Sequence, residues 1–177
     1  MKTSFVKFVR PGLLAVAVAA CAAWSALSST PSHAASASAN ATATVIVPIS
    51  IAKNADLVFG KFAAGTGGTV VMSTAGARSG TGGVVLSTVT PGNAANFTVS
   101  GDASATYTIT LPGNTTLTGG GGADTMIAGT FVSNPSGTGT LSGAGSQTLL
   151  VGATLTVGNA QAAGSYTGSF SVTVEYN

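Results

Sequence analysis

Charge is the scarcest property of this sequence: 6% of its 177 residues are Asp, Glu, Lys or Arg. It has one cysteine, one histidine and one tryptophan, Cys21, His33 and Trp24, all near the N-terminus. Beyond them no imidazole or thiol remains to act as base, nucleophile or soft metal ligand. The carboxylates Asp56, Asp102, Asp124 and Glu175 lie far apart along the chain, so no acid–base pair is legible. The chain is therefore read as not an enzyme, with no catalytic, cofactor or metal residue assigned. Past residue 34 the cations are Lys53, Lys61 and Arg78, which leaves a net charge of −1 against those four carboxylates. So few dispersed cations give no nucleic-acid footprint and no polybasic membrane patch. A lone cysteine excludes an internal disulfide. Disorder is disfavoured, because disordered segments are rich in charge and poor in hydrophobes, and this chain is 45% hydrophobic.

The N-terminus has the three parts of a secretory signal. Lys2, Lys7 and Arg10 form a basic start, and Leu13 to Leu27 an apolar core too short for a stable span. Ser32-His33-Ala34 is a small-x-small cleavage site. Residues 1–34 are thus expected to be cleaved, and the protein to act in the periplasm in transit and then at the cell surface or beyond. Val18-Ala19-Ala20-Cys21 also has the form of a lipobox, which would anchor the chain through Cys21. The apolar run continues past Cys21 to Leu27, where a lipoprotein usually turns polar.

From Ala41 to Ile51 apolar and polar residues alternate with a strand period, interrupted by Pro48, which cannot donate to a ladder. Further strands are expected at 57–62, with a bulge at Gly60, and at 69–73, 84–89, 96–100, 106–111, 126–132, 147–157 and 166–176. Arg78 falls in a Gly-rich loop, as a solvated charge. No helical period follows the signal. Many short strands separated by Gly and Pro turns predict an all-β, immunoglobulin-like antiparallel β-sandwich. Residues 35–47 form an N-terminal arm and 48–177 the domain.

In the last strand, Tyr166, Phe170, Val172, Val174 and Tyr176 share one face, with polar residues opposite. Gly119 to Ile127 fits a calcium-binding nonapeptide, but in a single copy, and such sites are shared between stacked copies; a hairpin loop is the simpler reading.

The order Pro48-Ile49-Ser50-Ile51, Asp56-Leu57-x-Phe59-Gly60, Gly76-x-Arg78, Phe97-x-Val-x-Gly101, Tyr107-x-Ile109-x-Leu111-Pro112 and Val151-Gly152-Ala153-x-Leu155 resembles a family of secreted bacterial domains known as domain of unknown function 4402. The closing motif, Gly164-x-Tyr166-x-Gly168-x-Phe170-x-Val172-x-Val174-x-Tyr176-Asn177, is its most specific part. That motif is also similar, more distantly, to the C-terminus of spore coat protein U and archaic chaperone–usher pilin domains. The second resemblance implies a sandwich lacking one strand, which a periplasmic chaperone and then the arm of the next subunit supply. The disulfide pair of many such pilins is absent here.

On these grounds the expected function is a pilin-like, fimbrial surface subunit that assembles with itself by strand addition, with a periplasmic chaperone and an outer-membrane usher as further partners. Ala41, Ala43, Val45 and Val47 are the candidate donor residues; Tyr166, Phe170, Val172, Val174 and Tyr176 border the candidate groove. An alternating arm suits such pairing, because its backbone extends a sheet while alternate side chains enter pockets. The alternatives are a monomeric secreted module binding a carbohydrate or surface ligand, and a structural domain that does not polymerise.

Overall fold

The computed structural model describes residues 33–119 and 121–177. The expected signal, apart from His33 and Ala34, lies outside the described residues, as does Cys21. Residues 33–43 carry no helix or strand and are exposed; Thr44–Asn177 make up a separate folded unit.

Every regular element among the described residues is a strand. In chain order they are β1 (Ser50–Ala55), β2 (Phe62–Ala63), β3 (Gly68–Met72), β4 (Arg78–Gly82), β5 (Val85–Leu86), β6 (Ala95–Ser100), β7 (Thr106–Thr110), β8 (Thr115–Gly119), β9 (Thr125–Asn134), β10 (Thr138–Thr140), β11 (Ser146–Val157), β12 (Tyr166–Thr167) and β13 (Thr173–Tyr176). All pairings are antiparallel.

The largest sheet runs β1-β6-β11-β9-β8-β12, with β3 and β4 branching from β11. Strand β11 is its hub. Along one edge its first half pairs with β6 and its second half with β3, while β9 takes the other edge. Leu149, Val151, Ala153, Leu155 and Val157 alternate along it and are all buried, which is the period-two burial of a strand with one face on the core. Fully burying a Val or Leu side chain stabilises the fold by ~1.5–3 kcal/mol, so this run is a large part of what replaces the missing disulfides.

The second layer is split. The three-stranded sheet β10-β7-β13 covers the first half of β11, where Tyr107, Ile109 and Val174 pack on Val99, Leu149 and Val151. The short β2-β5 pair covers the second half, where Phe62 and Leu86 pack with Val70, Met72, Leu155 and Val157. The result is the expected all-β antiparallel sandwich, with one layer continuous and the other in two pieces.

Several expectations are corrected by the structure. The alternation from Ala41 becomes a strand only at Ser50; Ala41 to Pro48 stay unpaired and exposed. The strand expected over 57–62 is reduced to an isolated bridge, Val58 with Asn93, and to β2. The final strand is two strands in different sheets: β12 pairs β8, and β13 pairs β7. Its alternation persists across the change, with Phe170 and Val172 half-buried, Val174 buried, and Ser169, Ser171, Thr173 and Glu175 exposed. Periodicity reports the face a residue presents and not the neighbour its backbone finds, so the switch left no mark in the pattern. Gly168 permits it: a Cβ there would lie 2.5 Å from the Thr116 carbonyl oxygen. Strands β8 and β9 pair as neighbours in the chain, with the Gly119 N–H donating to the Asp124 carbonyl at 2.8 Å.

Candidate functional site: an apolar groove in the split layer

Two chain segments border the break in the second layer. One runs from Lys53 to Ala64, leaving β1 and entering β2; the other runs from Gln161 to Phe170 through β12. Between them lies a groove of about 1140 Å³. Ala95, Phe97, Leu117, Met126 and Leu155, from four strands of the continuous sheet, line its floor. Phe170 stands on one wall, 5.0 Å from the Phe131 ring and 6.4 Å from Phe97 in an edge-on contact. Such aromatic contacts hold rings in fixed orientations.

Both walls carry unused backbone groups. Val58 exchanges N–H···O=C bonds with Asn93, each 2.9 Å. Adjacent residues of an extended chain present their polar groups to opposite edges, so Leu57 and Phe59 turn theirs the other way. Among the described residues, neither group of Leu57 nor the Phe59 N–H has a backbone partner. On the facing wall, Gly168 to Val172 make no backbone hydrogen bond among the described residues. An apolar floor between extended, unpaired walls has the form of a sheet with one strand left out.

Gly60 and Arg78 shape the first wall. Gly60 sits at φ +72°, and a Cβ there would lie 2.2 Å from the Thr90 carbonyl oxygen, so glycine alone fits. That left-handed residue makes a turn and not the expected strand bulge, since Phe59 to Lys61 lie in no strand, and it brings two carbonyls onto one guanidinium nitrogen. Arg78 Nη1 donates to the Phe59 carbonyl at 2.7 Å and to the Lys61 carbonyl at 3.1 Å, and Nη2 donates to the Ser87 carbonyl. Arg78 is therefore no solvated loop charge; it begins β4 and is half-buried.

The residues singled out from the sequence fall into three places. Tyr166 and Phe170 line the groove. The Tyr166 hydroxyl donates to the Ala162 carbonyl at 2.8 Å and accepts from Gln161 Nε2 at 2.9 Å, bracing that wall. Val172, Val174 and Tyr176 belong instead to the closed half of the core. The Tyr176 hydroxyl accepts from the Asp102 N–H at 2.6 Å and donates to the Val47 carbonyl at 2.7 Å, fastening Val47 to the domain. Ala41, Ala43, Val45 and Val47 are exposed, Val45 at 97%. Sequence reasoning missed the floor residues and Leu57 as parts of a site, because each reads as ordinary strand core. The polar signals nearby were the charges of Lys53, Asp56, Lys61 and Arg78, in a chain with almost no charge.

Comparison with known proteins places the chain in a wider group. A family model described as "Domain of unknown function (DUF4402)" matches residues 49–176. No curated protein and no solved structure matches.

Proposed function

The chain belongs to the DUF4402 family, and from that premise we propose that it is a secreted structural subunit that assembles by strand addition. The N-terminal arm of one copy lies in the groove of the next. The observation that carries this reading is the pairing of a gap with a filler in one chain. The second layer is broken by a groove with an apolar floor, and the same chain holds an exposed segment in no strand, Ala41 to Val47, with strand alternation.

The dimensions agree. The unpaired part of the second wall, Gly168 to Val172, would span roughly 17 Å as extended chain at ~3.3 Å per residue. The arm from Ala35 to Val47 is longer than that wall in residues. In the groove its backbone would meet the free groups of Leu57 and of Gly168 to Val172, and Val45 with the small Ala41 and Ala43 would face the floor. A subunit with an open groove needs a cover during export. A periplasmic chaperone that lends a strand, and an outer-membrane usher that exchanges it, suit that need.

The test is Val45→Asp in the chain from Ala35. A carboxylate entering an unpaired apolar slot costs several kcal/mol, on the order of the 3–5 kcal/mol seen for uncompensated buried charge. The wild-type chain is expected to form multimers that resist SDS, and Val45→Asp to remain monomeric with an unchanged melting temperature. If Val45→Asp unfolds a wild-type chain that was stable as a monomer, the arm is an internal strand and the proposal fails.

A further inference from the structure

Arg78 stands behind the groove wall, outside the groove itself. Its guanidinium takes the carbonyls of Phe59, Lys61 and Ser87, which ties the Phe59–Lys61 turn to the hairpin that carries β4 and β5. The backbone bonds of that turn, Lys61 N–H to the Thr90 carbonyl and Ser87 N–H to the Lys61 carbonyl, run to the same side. The turn is thus anchored on the side away from the groove, and the Phe59 carbonyl is withdrawn from any incoming strand.

We propose that Arg78 is the positioning residue of the groove: it holds the wall so that Leu57 and the Phe59 amide face a docked strand, and it ends the ladder at Gly60. The inference rests on the strand-acceptor reading given above. The ladder then has a defined stop, because the carbonyls on either side of Gly60, those of Phe59 and Lys61, are already taken. A planar fork that reaches separate carbonyls through Nη1 and Nη2 is a task for arginine; the compact ammonium of lysine cannot span them. Without the fork, the wall must be ordered at the moment of binding, and the entropy of ordering is subtracted from affinity.

The experiment uses the chain from Ala35 carrying Val45→Asp, whose own arm is a poor donor. A fluorescent peptide of residues 38–48 serves as probe, read by anisotropy and by amide exchange. The parent is expected to bind the peptide and to gain protection at the Leu57 and Phe59 amides. Adding Arg78→Lys is expected to weaken binding about tenfold or more and to remove that protection. The unliganded melting temperature should stay within about 4 °C, a shift that corresponds to a small stability change in a domain of this size. Arg78→Gln should weaken binding at least as much. Equal affinity in all these chains, with the same protected amides, overturns the role of Arg78 and leaves the acceptor reading standing. Loss of a cooperative melt in both Arg78 variants also overturns it, since Arg78 would then hold the whole domain. No binding by the parent overturns the acceptor reading itself, and this inference with it.

Discussion

The two halves of β11 lie in one sheet, carry the same alternating aliphatic residues, and end in different surroundings. Leu149 and Val151 are sealed under β10, β7 and β13, with Tyr107 completely buried among them. Leu155 is just as inaccessible, yet it lies on the floor of the groove beside Met126. The closed half is covered by a three-stranded sheet, the open half by a ladder of two residues on each side. Burial of individual side chains therefore does not measure completeness of a layer. Both halves bury aliphatic side chains that stabilise the domain; in the proposed assembly the open half also offers a surface for an added strand.

The largest effect should come from damage to the closed half. Leu149→Ala removes a fully buried side chain and is expected to cost ~2–5 kcal/mol in a urea titration. Added arm peptide should leave that loss unrepaired, since the peptide acts on the other half. Recovery of most of the loss with peptide would erase the distinction between the halves.

A smaller effect belongs to the hydrogen bond that the buried Tyr107 makes inside the closed half. The Tyr107 hydroxyl donates to Gln147 Oε1 at 2.7 Å. Tyr107→Phe leaves that oxygen without its donor and should cost ~1–2 kcal/mol. Burial also pushes the Tyr107 phenol above its ordinary value of 10.0, because desolvation penalises the phenolate. Its contribution is thus fully present below pH 10.0 and is lost as pH rises through the higher folded value, since the unfolded chain releases the proton first. Wild-type stability should fall at alkaline pH more steeply than that of Tyr107→Phe, as followed by denaturant titration across that range.

The smallest effect is expected at the mouth of the groove. Lys53 Nζ and Asp56 Oδ1 are 2.6 Å apart, but both side chains are more than half exposed. Asp56→Asn should change stability by less than about 0.5 kcal/mol, since solvent and salt screen such a pair. A larger loss would mean that the open half depends on its rim charges and not on apolar contact.

The same contrast explains what could be read from the sequence. The strand class, the hub β11 and the alternating faces of the C-terminal segment were legible, because period-two burial is written directly in residues such as Leu149, Val151 and Leu155. Strands β8 and β10 were not, since Thr115 to Gly119 and Thr138 to Thr140 are Thr- and Gly-rich and lack a hydrophobic alternation. The groove was legible in its proposed filler, the alternation of Ala41 to Val47, and in two of its wall residues, Tyr166 and Phe170. Its walls depend on which edges stay unpaired, a long-range outcome that Leu57 or Gly168 cannot announce locally. The wall-forming role of Arg78 depends on the left-handed turn at Gly60, nearly twenty residues away in sequence.

Directed cross-linking tests the central claim most directly, because the chain from Ala35 has no cysteine of its own. One sample carries Thr44→Cys, which points to the same outward face as Ser169 when Val45 faces the floor; a second carries Ser169→Cys, an exposed position on the groove wall. A third carries Ser136→Cys, exposed between β9 and β10 in the closed half. Disulfides form only where Cα atoms come within about 7 Å. Mixing the first sample with the second under oxidation should give a covalent dimer of the two chains, and mixing it with the third should give only background. Equal yields in the two mixtures, or none in either when Thr42→Cys and Ile46→Cys are substituted for Thr44→Cys, would contradict the account.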